Sequence, residues 1–402
     1  MINRMFSSLK HKYFRLFWIT QAVSLIGSWM YFLTRNWLVL ELTDSPFWLG
    51  IISGITLSPV IFLSLPAGVL ADRIDKRYLL IITQIAAMVL AFVITYLTYN
   101  DLVTINHVLI ISLCFGIVNA VEGPSRQSYI VELVGRKDLL NAIALNSSIF
   151  NGARMLGPAI AGVLISFVGI SGVFLINAIS FVGVVIALFF IKSEFKVREK
   201  KNSAFQDFVE GFKYIWNHKL VFNLMLIVAT FSLFGMSYAV LLPYFAKHIL
   251  NGGSRELGYL MGVNGIGALL GALGLAAFSH IEKRGRWVLV SAFIFTIGLW
   301  FFSFSKNFYF SLIPLPFVGF SMVFLVATAN TILQTLVKDN VRGRVMSFFT
   351  FMFLGVAPIG SFFAGFLSEY LDVIIIIRIG SALCLFLIVL AFLRTPKLVK
   401  EI

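Results

Sequence analysis

Three arginines interrupt strongly apolar stretches: Arg35 in "MYFLTRNWLVL", Arg154 in "FNGARMLGPAI" and Arg378 in "IIIIRIGSA". A charge at bilayer depth is costly, and such residues usually serve a ligand or an ion pathway. Arg154 falls near the middle of its run. Arg35 and Arg378 lie nearer the ends and could also snorkel to headgroups. No Asp or Glu lies comparably deep, and Glu41 and Glu122 sit near the ends of their runs. This imbalance predicts a cavity of positive potential, suited to an anionic amphiphile bearing carboxylate or catecholate groups. A pump for cationic drugs would instead want a buried acid. Gln21, Asn36, Asn119, Asn151, Asn264 and Gln334 can supply hydrogen bonds. The 42 phenylalanines can supply apolar walls of the kind that pockets for amphiphiles need.

A second cluster lies in "LPAGVLADRIDKRYLL", residues 65–80, where Asp72, Arg73, Asp75, Lys76 and Arg77 surround Ile74. Basic residues alone could fix membrane topology, but an acid gains nothing from that rule. Asp72 therefore points to a contact of its own. Arg73 could pair with Glu132 or Asp138 in the next loop on the same face, and Arg77 with Asp75 or a lipid phosphate. Gly68 permits close helix approach.

The elements that must position these residues are membrane spans. Only 12% of the residues are charged and the mean hydropathy is +0.94, against about 25% charge in soluble domains. A bilayer core needs about 20 apolar residues per helix. Such runs recur at 17–41, 47–71, 79–98, 103–123, 141–166 and 172–191. Six more follow at 219–247, 256–279, 287–304, 308–336, 345–367 and 373–393. The expected class is an all-α integral membrane protein of twelve transmembrane helices. The alternating pattern of a membrane β-barrel is missing. The basic start "MINRMFSSLKHKYFRLFW" runs directly into the first span and reads as a retained helix. With the N-terminus cytoplasmic, 26 of the 32 Lys and Arg fall inside, only Lys247, Arg255 and Lys306 fall outside, and three lie within helices. Such asymmetry follows the positive-inside rule and places both termini in the cytoplasm. The net charge of +14 thus reports topology and does not point to nucleic acid.

The polar stretch 192–218 separates two six-helix bundles, residues 1–191 and 219–402. Within it, "FQDFVEGFKYIW" has the spacing of an amphipathic surface helix. The bundles look alike: "RKDLLNAIALNSSIFNGARMLGPAIAGVL" and "NVRGRVMSFFTFMFLGVAPIGSFFAGFL" align at Gly157-Pro158 and Ala357-Pro358. A duplicated six-helix unit is a common transporter signature, with the substrate held near the midplane.

"GVLADRIDKRYLL" resembles the loop signature between the second and third helices of the major facilitator superfamily. "NGARMLGPAIAGVL" resembles the fifth-helix motif of its antiporter branches, with Ala161 in place of the first glycine of its small pair. "LELTDSPFWLG" and "NVRGRVMSFFTFMFLGVAPIG" are similar to the branch of enterobactin exporters and macrolide efflux proteins. The resemblance spans essentially the whole chain and implies the major facilitator fold, two pseudo-symmetric bundles with alternating access. It implies that Asp72 caps the start of the eleventh helix near Arg342 and Arg344 when the inner side is closed. It also implies that Gly157, Pro158 and Gly162 form a tight contact between halves; ordinary helix packing would explain the same residues. The second-half loop "FSHIEKRGRWVLV" keeps only Glu282 on the acidic side, so the gate is asymmetric. Proton-driven relatives often carry an arginine where this chain has Phe115, so Glu122 or Glu41 becomes the candidate proton carrier, burial raising a carboxyl pKa.

The expected function is proton-coupled export of a small, siderophore-like anion from a bacterial cytoplasmic membrane. Macrolide or multidrug efflux, uptake and facilitated diffusion are alternatives, and a receptor or scaffold is the alternative outside transport. The expected partners are substrate, protons and membrane lipid, and the chain is expected to act as a monomer without a cofactor. No P-loop occurs, Cys114 and Cys384 suggest neither a disulfide framework nor a metal site, and the five histidines are scattered, which argues against an enzyme.

Overall fold

In hydrocarbon every backbone N–H and C=O must be satisfied within the protein, so long apolar runs become helices. The computed structural model describes residues 7–135, 137–191, 204–277 and 283–396, and no strand occurs among them. The first six spans are α1 (Lys12–Thr43), α2 (Pro46–Arg73), α3 (Lys76–Tyr99), α4 (Ile105–Val134), α5 (139–168) and α6 (170–190). The last two form one continuous helical stretch, Leu139–Phe190, broken only at Gly169, whose φ of 70° favours glycine. That break turns eleven long apolar stretches into twelve spans. After the amphipathic α7 (Ala204–Asn217) come α8 (Lys219–Ile249), α9 (Ser254–Ala277), α10 (Arg284–Phe304), α11 (Phe308–Leu336), α12 (Val341–Leu367) and α13 (Val373–Arg394). This is the twelve-span, all-α architecture of two six-helix bundles.

By packing, the chain divides into two units. One holds Met1–Thr43 with Ser58–Lys200, the other Asp44–Leu57 with Lys201–Ile402. The division within α2 falls beside Pro59, whose missing N–H weakens the helix at that turn.

In the first unit, Phe14 and Phe17 of α1 pack with Leu80 and Ile81 of α3, Tyr129 of α4, and Val184 and Leu188 of α6. Two glycines bring neighbours onto α1. A Cβ at Gly27 would lie 2.7 Å from Ser180 Oγ on α6. One at Gly157 on α5 would lie 2.5 Å from Trp29 Cβ and 2.9 Å from the Ile26 carbonyl. Small residues of this kind let membrane helices approach backbone to backbone.

The second unit uses the same device on α9 and α11. Gly267 and Gly271 face the backbone at Pro316 and Phe320, and Gly319 faces Asn264. Both α8 and α12 contain π-helical turns, Phe231–Gly235 and Phe351–Gly355. Such turns release carbonyls from the regular ladder. Ser232 donates to one of them, Phe353 O, at 2.6 Å. Gly360 of α12 meets the backbone of α8 at Leu233, as Gly157 of α5 meets α1.

The linker helix α7 docks on α12. Gly211 sits against Arg344 and Phe348, Phe212 packs on Phe348 with ring centroids 6.2 Å apart, and Arg344 pairs with Glu210.

Candidate functional site

Two of the three intramembrane arginines reach one aromatic platform in the first unit. Arg35 is 2% exposed. Its Nε and Nη2 donate to Asn36 Oδ1 at 3.3 and 3.0 Å, and its guanidinium carbon lies 5.5 Å from the Phe32 ring centre. Arg154, half-buried on α5, lies 5.7 Å from the Trp29 ring. Trp29 meets Phe32 edge-on at 5.7 Å and Phe150 at 5.9 Å. The negative ring faces attract both cations, so the platform holds two positive charges. Tyr31, one turn before Arg35, packs on Phe115 of α4 and Phe174 of α6 at 4.7 and 5.3 Å. Phe115 thereby joins the cluster beneath Arg35.

Elsewhere in the first unit, polar atoms are buried without protein partners. Gln21 Oε1, Ser24 Oγ and both amide atoms of Asn177 have none. Asn151 donates to the Ser147 carbonyl at 2.9 Å, and Asn119 is exposed. Glu122 faces Arg126 at 3.2 Å, an ion pair within α4. Because α4 runs to Val134, Arg126 belongs to the helix and not to the following loop. Glu41 is exposed and accepts from Trp37 Nε1 at 2.6 Å.

In the second unit the predicted residues are dispersed. Asn264 is buried and donates to the Tyr238 hydroxyl at 3.0 Å. Gln334 is exposed and donates to Asn330 at 2.6 Å. Arg378 donates to Ser303 Oγ at 2.9 Å and stacks over Phe304 at 3.8 Å, which ties α13 to α10.

The charged loop differs from the expected pairings. Gly68, Asp72 and Arg73 fall on α2, but their side chains lie outside the described residues, as does Glu282. Lys76 Nζ holds Glu132 at 2.6 Å, and His11 Nε2 holds Asp138 at 2.9 Å. Both acids foreseen for Arg73 are therefore engaged by other residues. Arg77 takes partners other than the Asp75 carboxylate. Its guanidinium donates to the carbonyls of Leu188 and Phe189, at 2.7 and 2.9 Å. The reason is the C-terminus of α6, whose last carbonyls lack helical partners and carry partial negative charge. Asp75 instead caps the start of α3, accepting from Arg77 N at 2.9 Å. Gly157 is buried against α1 of its own unit, with Pro158 and Gly162 buried beside it. Arg342 donates to the Val337 carbonyl at 3.3 Å.

One cluster had no counterpart in the sequence reading. Asp44 Oδ1 accepts from Lys247 Nζ at 2.6 Å and His248 Nε2 at 2.9 Å. These hydrogen bonds, Lys247 first, hold its carboxyl below the usual carboxylate range. Below it, a Cβ at Gly50 would lie 2.6 Å from the Ser361 carbonyl and 2.7 Å from Gly365 Cα. The aromatic platform was missed too, although Trp29, Phe32 and Asn36 follow helical spacing beside Arg35.

A family described as transmembrane secretion effectors matches residues 3–401, and the chain belongs to that family, within the major facilitator superfamily. A staphyloferrin A transporter of Staphylococcus aureus (strain NCTC 8325 / PS 47) is 28% identical over 96% of this chain and 98% of its own. Macrolide efflux protein A of Streptococcus pyogenes is 22% identical over 92% of each chain. In fold, a crystal structure of the nucleoside transporter NupG covers 95% of this chain and 98% of its own, with a TM-score of 0.74 at 13% identity.

Proposed function

We propose that this protein is a secondary active transporter of a bacterial cytoplasmic membrane. It exports a small anionic, siderophore-like amphiphile by alternating access, coupled to protons. Two six-span halves joined by residues 192–218 move against each other, with both termini cytoplasmic. The observation that carries the reading is the pair Arg35 and Arg154 on the Trp29–Phe32 platform. It offers an anion two cations and apolar ring faces. Gln21, Asn36, Asn119 and Asn151 supply hydrogen bonds, as Asn264, Gln334 and Arg378 do from the second half. Whole-length similarity to a staphyloferrin A transporter supports a metal-chelating cargo. Gating falls to Gly68, Asp72 and Arg73 with Arg77, Glu132, Arg342 and Arg344, and to Gly157, Pro158 and Gly162. Glu122 or Glu41 is the proton carrier, and the burial this role needs favours Glu122, since Glu41 is exposed.

A second reading, macrolide or multidrug efflux, is favoured by the similarity to macrolide efflux protein A. Uptake uses the same architecture in reverse.

The test is untargeted mass spectrometry of medium and cell extract from iron-limited cells with and without the gene. Loss of a chelating acid from the medium, with its accumulation inside, supports export of that class. An unchanged chelator profile with raised macrolide susceptibility moves drug efflux to the front. A chelator that accumulates in the medium of the deletion strain indicates uptake.

A further inference from the structure

The second unit carries a groove with a volume of about 840 Å³, between α10 and α11. Its shape follows from two breaks. Gly298 lacks a side chain, and a Cβ there would lie 2.8 Å from Val318, so the two helices close at that level. At the other end, α11 begins with a short turn, Phe308–Leu312, and restarts after Pro314. Between these points the rings of Phe301, Phe304 and Phe317 stand apart, 68%, 63% and 58% exposed. A wall so apolar on a membrane span faces hydrocarbon, where its solvent is lipid acyl chain.

The mouth of the groove is the loop containing Ser305, Lys306 and Asn307. Its other polar groups are engaged locally. Ser305 Oγ donates to the Asn307 carbonyl at 2.9 Å, and the Asn307 side chain accepts from Tyr309 N at 2.9 Å. Lys306 is exposed, with no carboxylate within ion-pair distance among the described residues. The other two cations of the sparsely charged face are occupied: Lys247 by Asp44, and Arg255 by the Tyr259 hydroxyl at 3.2 Å. An apolar slot ending at an uncompensated ammonium matches an anionic amphiphile lying along the helices.

We propose that this groove binds an anionic phospholipid of the adjoining leaflet, its phosphate on Lys306 and an acyl chain between Phe301 and Phe317. The site is independent of what the protein carries and of the direction of transport. Its failure therefore leaves the transport reading untouched.

The test is native mass spectrometry of the purified full chain after exchange into equal amounts of phosphatidylglycerol and phosphatidylcholine with identical chains. A lysine at a membrane surface favours an anionic lipid about fivefold. The wild type should retain one phosphatidylglycerol with that preference. Lys306→Gln should equalise the two lipids, and Arg255→Gln on the same face should keep the preference. Ile297→Trp, which fills the groove from an exposed position, should lower retention of both. The proposal is overturned if Lys306→Gln keeps the preference, if Arg255→Gln abolishes it equally, or if Ile297→Trp leaves retention unchanged.

Discussion

Gly152 and Gly157 lie five residues apart on α5, and the structure assigns them opposite responses to the same substitution. A Cβ at Gly157 would lie 2.5 Å from Trp29 Cβ, 2.9 Å from Ile26 O and 3.2 Å from Met30 N. All three are atoms at or on the backbone of α1, so relief requires one helix to move. Overpacking of this kind costs about 1–3 kcal/mol. At Gly152 a Cβ would meet nothing within 4 Å, and alanine should gain up to about 0.5–1 kcal/mol of helix propensity. The two variants should therefore differ by about 1.5–4 kcal/mol. At about 2–4 °C per kcal/mol for a unit of this size, that separates their midpoints by roughly 3–16 °C. The assay is fluorescence-detected size exclusion after a heat ramp in detergent, comparing Gly152→Ala and Gly157→Ala with wild type. Equal midpoints, or a lower midpoint for Gly152→Ala, would refute the packing assigned to α1 and α5.

Three more outcomes follow from named contacts. Because Lys247 and His248 depress the Asp44 pKa, the stabilisation they give is present above the ordinary carboxylate value of about 3.9 and lost as the pH falls through the lower folded value. A carboxyl carbon-13 titration of Asp44 should place the carboxyl midpoint below the ordinary carboxylate value; a midpoint at or above that value would contradict the pairing. Glu210→Arg should free α7 from α12, read as a broadened distance between spin labels at positions 213 and 347, and Arg344→Glu in the same chain should restore it. Tyr238→Phe removes the hydroxyl that Asn264 donates to. Interhelical hydrogen bonds in membranes average about 0.6 kcal/mol, so its thermal midpoint should fall by only about 1–2 °C, and a drop several times larger would mean that Asn264 has a heavier structural role.

Spans were legible because hydrocarbon leaves the backbone one solution, and composition alone announces it. Even the break at Gly169 sits in the gap between the runs ending at 166 and starting at 172. Side-chain partners were much less legible. Arg77 looked like one more member of a charged loop, yet its partners are the carbonyls at the end of α6, which no side-chain pattern advertises. Glu132, expected to meet Arg73, is held by Lys76. Asp44 and His248 are 204 positions apart, and only the fold brings them together. The arginines stood out in the sequence as costly charges, but their aromatic setting needed α1 and α5 to be packed through Gly157. That glycine was noticed as a motif. Its contact is with its own unit.

The central claim, proton-coupled export of an anionic amphiphile through the Arg35–Arg154 platform, is tested most directly by flux in proteoliposomes. The protein would be reconstituted and supplied with a radiolabelled carboxylate or catecholate chelator under an imposed pH gradient, for wild type, Arg154→Ala and Arg154→Lys. The account predicts gradient-dependent accumulation that an uncoupler abolishes, that Arg154→Ala removes and that Arg154→Lys keeps in part. Accumulation unaffected by the gradient, or undiminished in Arg154→Ala, would contradict it.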